Sequence, residues 1–164
     1  MPQLLVVHHS PSRSLQALTA AVLAGAGDPL LQGVEVVVRP ALEATAADVL
    51  AADGYLLGTA AHFGYMSGAL KHFFDTTFLS IGGSLDEHGA AGESAGATAK
   101  RPFGLYVHGR YDTTGAVRSI LSITGALRWQ LSAAVHEVLG DVDDAATRAA
   151  YELGATIASL LMPS

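Results

Sequence analysis

Residues 53–75, DGYLLGTAAHFGYMSGALKHFFD, decide how the rest of this sequence is read. Tyr55, Leu56 and Leu57 make a short apolar run that stops at Gly58, whereas Met66, Leu70, Phe73, Phe74 and Phe78 recur at helical spacing. The segment therefore predicts a buried strand, a loop over 59–66 and a helix. Leu70, Phe73 and Phe74 belong to the core face of that helix. Phe63 and Tyr65 fall in the loop, and rings placed there need a partner, either the end of the core or a flat ligand. Thr59, Ala60 and Ala61 are small enough for the backbone to approach such a ligand closely, and Gly64 can take up angles closed to other residues.

The same alternation extends along the chain. Short runs that are mostly apolar on both faces occur at 3–9, 34–39, 54–58, 103–108 and 133–139, as expected of parallel strands covered by helices. Helical patterns lie between and after them at 14–26, 43–52, 67–79, 114–128 and 144–161. This succession predicts an open α/β sheet of five parallel strands in the order 2-1-3-4-5, with right-handed crossovers and helices on both faces. At 164 residues, half of them apolar, the chain has the size and the core of one domain, 1–164. The segment 82–100, GGSLDEHGAAGESAGATAK, reads as a mobile surface loop. Trp129, just past the fourth helix, reads as packing.

Composition removes several classes of function. A formal charge of -6, with nine scattered basic residues, argues against nucleic acid as a partner. The absence of cysteine excludes disulfides, thiolate metal sites and a cysteine nucleophile. No apolar run approaches the roughly 20 residues of a membrane span. The first thirty residues lack the basic-then-apolar layout of a signal peptide, so a cytoplasmic protein is expected. Seven histidines are present, but without HxxxH or HExxH spacing, and no metal site is expected.

In open α/β sheets ligands bind outside the carboxyl ends of the strands where the strand order reverses, which selects the loops after His9, Gly58 and His108. In the first, HHSPSRSLQAL, Ser10, Ser12 and Ser14 alternate with Pro11 and Arg13 as a helix begins. Helix N-termini offer unpaired amides and a positive dipole end, so this loop is either a phosphate cradle or an ordinary capped start. No GxGxxG or GxxxxGK[ST] is present, which disfavours a dinucleotide fingerprint and excludes a P-loop. A phospho-acceptor receiver domain needs acidic residues where His8, His9 and Gly58 stand, and no GxSxG elbow marks a hydrolase. In the third loop, HGRYDT, Tyr111 can stack on a planar ring, while Arg110 and Asp112 suit either a polar ligand edge or an exposed ion pair. Thr113 or Thr114 can cap the following helix.

TAAHFGYMSGALKHFFD resembles the flavin loop and helix of NAD(P)H:quinone oxidoreductases of the tryptophan-repressor-binding-protein type and of NADPH-dependent FMN reductases, and HHSPSRSLQALTAAV is similar to their FMN-phosphate segment. The resemblance spans the first, third and fourth βα units and implies a three-layer flavodoxin-like fold. It also implies a site by position. Ser10, Ser12, Arg13, Ser14 and Leu15 would surround the FMN phosphate. Ala61, His62, Phe63, Gly64 and Tyr65 would meet the ribityl chain and isoalloxazine, with the Gly64 carbonyl able to turn toward a flavin nitrogen, and His108, Gly109, Arg110, Tyr111 and Asp112 would flank the other edge of the ring. The quinone reductases usually carry proline where Ala60 stands, arginine at His62 and asparagine at Tyr65, so the changes fall where substrate would approach.

The expectation is an FMN-dependent oxidoreductase, with NAD(P)H as donor and a quinone or similar small molecule as acceptor. The cofactor would carry the chemistry, so no side chain is assigned as catalytic. Such reductases often associate so that a neighbouring chain closes the flavin site, which implies a homo-oligomer, dimer or tetramer. The alternative is a flavodoxin-type carrier that passes electrons to protein partners, and a third reading is an interaction module without cofactor. Rings on both faces of the flavin would favour the carrier; one open face would favour the reductase.

Overall fold

The computed structural model describes residues 1–92 and 95–164. In chain order the elements are β1 (Gln3–His8), α1 (Arg13–Ala26), β2 (Glu35–Pro40), α2 (Ala46–Ala51), β3 (Gly54–His62), β4 (Tyr65–Met66), α3 (Gly68–Thr77), β5 (Pro102–Gly109), α4 (Thr114–Ala126), β6 (Gln130–Leu131), β7 (His136–Leu139) and α5 (Asp144–Ser159). The sheet runs β2-β1-β3-β5-β6, and β7 also pairs in parallel with β5. Since β6 and β7 occupy the same side of β5 in two pieces, they are one interrupted strand. The expected 2-1-3-4-5 order is therefore present, with a short antiparallel addition, β4, on the end of β3.

Period-two alternation sends successive strand residues to opposite layers. Leu5, Val7, Tyr55, Leu57, Leu105 and Val107 join Leu70, Phe73, Phe74 and Trp129 on one side of the sheet. Leu4, Val6, Leu56 and Tyr106 meet Leu15, Leu18, Val22, Leu153 and Ile157 of α1 and α5 on the other. Most of these side chains are wholly buried, and each large aliphatic or aromatic one contributes on the order of 1.5–3 kcal/mol relative to exposure. Strand β2 differs: it lies at the edge of the sheet and is only half covered.

The expected boundaries shift where side-chain hydrogen bonds outrank periodicity. Helix α2 begins at Ala46, not Glu43, because Thr45 and Asp48 form a capping box and Ala44 is held in a turn by the Pro40 carbonyl. Strand β3 runs beyond Gly58 to His62, and Met66 belongs to β4, so the expected 59–66 loop is mostly a hairpin. Helix α3 follows, with the Ser67 hydroxyl accepting from the Leu70 amide. At α4 neither threonine supplies the cap: Asp112 Oδ1 accepts from the Thr114 amide, and the Thr113 hydroxyl donates to Glu137 Oε1.

The long segment after α3 is tied at both ends rather than loose throughout. Leu85 and Ala91 form an antiparallel bridge, and the Gly92 amide donates to the Ser84 carbonyl. Thr98 is fully buried; its hydroxyl donates to the Ile81 carbonyl and accepts from Trp129 Nε1 at 2.8 Å. Trp129 in turn stacks on Tyr55, with ring centroids 4.0 Å apart. Glu93 and Ser94, part of the expected mobile loop, lie outside the described residues. No helix among the described residues is long and apolar enough to cross a membrane.

Candidate functional site

At the carboxyl end of the sheet, a cleft of about 410 Å³ is bordered by Pro11, Ser12 and Ser14 from the first loop, Ala60–His62 from β3, His108–Arg110, and Asp141. The α1 start forms one wall. Ser12 is its cap: the backbone is extended and the hydroxyl accepts from the Leu15 amide at 3.2 Å. Among the described residues, the amides of Arg13 and Ser14 have no hydrogen-bond partner, so the positive end of a 14-residue helix opens on the cleft. Ser14 is half-buried against the cleft and Arg13 is exposed beside it.

Two of the residues expected around a phosphate face elsewhere. Leu15 is fully buried in the layer between α1 and the sheet, so only its backbone belongs to the loop. Ser10 turns inward, with its hydroxyl 2.8 Å from His8 Nδ1 and 2.8 Å from the Thr19 hydroxyl. Its residue type suited an anion, but its hydrogen bonds are already spent inside the protein.

A second compartment of about 470 Å³ continues the cleft and shares Ala61, His62 and Arg110 with the first. Its walls are the β3–β4 hairpin and the loop Arg110–Tyr111–Asp112. The hairpin pairs Ala61 with Met66 and His62 with Tyr65, leaving Phe63 and Gly64 as a two-residue turn with φ of 50° and 77°. Positive φ at both central residues is the primed turn that matches strand twist, and Asn-Gly or Gly-Gly are its usual occupants. Phe63 pays backbone strain there, of order 1 kcal/mol or more. It also holds its ring fully in solvent, and Tyr111 across the compartment is 94% exposed. Gly64 needs its glycine for φ, but its carbonyl lies against α4, where a Cβ on Gly115 would come within 2.0 Å of the oxygen. Tyr65 borders a different groove, with Lys71, Arg118 and Ser122.

Burial disfavours a charge on two histidines of this edge, His8 and His9. Burial, then the neighbouring His9, lowers the pKa of His8; burial, then His62, lowers that of His9. The His9 and His62 rings meet edge to face at 5.9 Å, and the buried His9 Nδ1 has no hydrogen-bond partner among the described residues. His108 donates from Nε2 to the Gly140 carbonyl at 2.7 Å, which fixes its tautomer and joins the third loop to the turn after β7. Arg110 pairs with Asp141 at 2.9 Å, both exposed. Asp112 caps α4, and that bond lowers its pKa. Sequence reasoning missed Gly140 and Asp141, although the loop after the fifth strand opens on the same sheet edge as the other three.

Residues 14–135 match the family of NADPH-dependent FMN reductases. The chain belongs to that family. These are FMN-binding flavoproteins of flavodoxin-like fold. The match takes in Ser14, the hairpin and the third loop, beginning just after Ser12 and ending before Asp141. A flavodoxin of Aquifex aeolicus (strain VF5) is 33% identical over 86 residues, which are 52% of this chain and 45% of that protein, so the chain matches less than half the length of this relative. Among solved structures, a flavodoxin from the domain Archaea superposes with a TM-score of 0.75 at 16% identity, over 97% of this chain and 98% of that one. A WrbA-like flavodoxin from Agrobacterium tumefaciens gives 0.72 at 17% identity, over 98% of each chain. At such identities the structural likenesses show the fold, and the family adds the cofactor class.

Proposed function

We propose that residues 1–164 form one flavodoxin-like domain that binds FMN in this cleft and passes electrons from NAD(P)H to a quinone or similar small acceptor. One observation carries the reading: a single cleft joins an open helix N-terminus to a slot between two exposed rings. The donor set fits FMN. The unpaired amides of Arg13 and Ser14, the Ser14 hydroxyl and the Arg13 charge would hold the phosphate. Two adjoining compartments of about 410 and 470 Å³ fall in the size range of cofactor sites. Bound FMN supplies hydride acceptance and one-electron transfer. The chain's own part is to place and shield the ring. Ala60 and Ala61 leave room for close approach, Phe63 and Tyr111 wall the slot, and His108, pinned to Gly140, holds the third loop in place.

The second reading, a flavodoxin-type carrier for protein partners, draws its support from those two rings. Phe63 and Tyr111 border the same slot, and rings on both faces of the flavin would obstruct hydride delivery. The test is an absorption spectrum of the purified protein followed by steady-state oxidation of NADPH and NADH with a soluble quinone. Flavin bands with quinone-dependent turnover are expected. Flavin bands without turnover would leave the carrier, and a protein that takes up no FMN would sink both.

A further inference from the structure

Beneath the phosphate loop, three side chains of the first βα unit and one from β5 are linked by hydrogen bonds. His8 Nδ1 lies 2.8 Å from Ser10 Oγ, Ser10 Oγ lies 2.8 Å from Thr19 Oγ1, and Thr19 Oγ1 lies 2.7 Å from the Tyr106 hydroxyl. Thr19 and Tyr106 are buried, and Thr19 is the only partner of the Tyr106 hydroxyl among the described residues. His8, Gly58 and Tyr106 are aligned across β1, β3 and β5, and the Tyr106 ring crosses over Gly58, where a Cβ would come within 2.1 Å of Cζ. The tyrosine can reach α1 because the strand between carries no side chain.

Counting protons fixes the first two links of the chain and favours one direction for the third. Each hydroxyl has one proton, and a neutral imidazole has one donor and one acceptor nitrogen. If Tyr106 donates to Thr19, Thr19 to Ser10 and Ser10 to His8 Nδ1, every proton is used. The buried Tyr106 and Thr19 hydroxyls have no other acceptor among the described residues, so Tyr106 donates to Thr19 and Thr19 to Ser10; if His8 donated as well, Ser10 would accept twice and its own proton would have no acceptor among the described residues. The arrangement that uses every proton runs from Tyr106 to His8 and places the His8 hydrogen on Nε2. Its neighbour His9, itself beside His62, opposes a positive charge on His8 from the other side.

We propose that Thr19 and Tyr106 are positioning residues for the anion site, acting through this one-way relay on the loop that presents the Arg13 and Ser14 amides. The inference rests on the FMN reading for the identity of the anion. Ser10 sits two residues before the helix cap, and the relay fixes its side chain while Gln16 Nε2 donates to its carbonyl. With Ser12 capping α1, the loop is held on both sides of Pro11 before any ligand arrives, so less ordering remains to be done on binding.

The test uses the apoprotein with Thr19→Val, Thr19→Ser and Tyr106→Phe, titrated separately with FMN and riboflavin by fluorescence, with ¹⁵N NMR of the His8 ring. Thr19→Val should weaken FMN by about tenfold while riboflavin, which lacks the phosphate, stays within about twofold. Thr19→Ser should restore FMN affinity, and Tyr106→Phe should shift it less, in the same direction. In Thr19→Val the His8 Nε2–H preference should weaken and its titration should move up toward the ordinary histidine value. Unchanged FMN affinity, a parallel loss of both flavins, or an unaltered His8 ring would each overturn the proposal. Should Thr19→Val fail to fold, Tyr106→Phe decides by the same readings. Wild-type protein that binds no FMN sinks the cofactor reading, whereas FMN binding that the variants leave untouched sinks only this one.

Discussion

At the α1 end of the cleft the groups that face a ligand are backbone amides, steadied from behind by buried hydroxyls, whereas at the hairpin end they are aromatic rings held out in solvent by a strained turn. The first arrangement is dry and over-determined: Ser12 caps, Ser10 is bonded on two sides, and Thr19 and Tyr106 are buried. The second has little behind it, since the Phe63 ring is fully exposed and its backbone sits at φ 50°. Rigid amides suit a small, invariant, charged group. Exposed rings suit a flat group that must be gripped and remain reachable.

The strongest way to break this contrast is Gly58→Ala. Its Cβ would collide with the Tyr106 ring inside the core, so a loss of about 3 kcal/mol in urea unfolding is expected. Ser12→Ala removes the cap without touching the core, and should cost about 1 kcal/mol of stability and weaken FMN in a titration. Phe63→Asn sharpens the comparison by giving opposite signs. Asn-Gly suits a primed turn, so stability should rise by about 0.5 kcal/mol or more in the same urea assay while flavin binding weakens for want of the ring. The last effect depends on pH. His8 and His9 have folded pKa values below the ordinary 6.5, so the unfolded chain binds more protons in the window beneath it. Their contribution should be intact above about pH 6.5 and decline as pH falls toward the folded values, a slope that thermal unfolding between pH 7.5 and 5 would read and His8→Gln would flatten.

Much of the architecture was legible because each βα unit announces itself: an apolar run, a glycine or serine, then a helical stripe. The Leu70, Phe73 and Phe74 face and the parallel α/β sheet followed from pattern, and the 2-1-3-4-5 order is the flavodoxin-like one expected for it. What escaped was written in other terms. Residues 59–61 are too small to show a period of two, so the extension of β3 was invisible, and Phe-Gly is not the dipeptide that usually signals a primed turn. The break between β6 and β7 falls in Ser-Ala-Ala-Val, which carries no turn signal. Serine spacing suggested an anion loop but not that Ser10 faces inward, which depends on Thr19 and on a tyrosine 87 residues beyond it. Asp141 follows the fifth strand, away from the switch point that the strand order singles out, yet its loop opens on the same cleft.

The pinning of Thr98 between Ile81 and Trp129 has a practical side. Because the chain leaves α3 and re-enters the sheet through that buttoned point, the length of what lies between is decoupled from the register of β5. Extra residues placed between Glu87 and His88, both largely exposed at the tip of the Leu85–Ala91 bridge, would add loop entropy that grows only logarithmically with length. The fold thus offers a graft point for a tag, a tether or a second module on a face made by none of the loops that border the cleft.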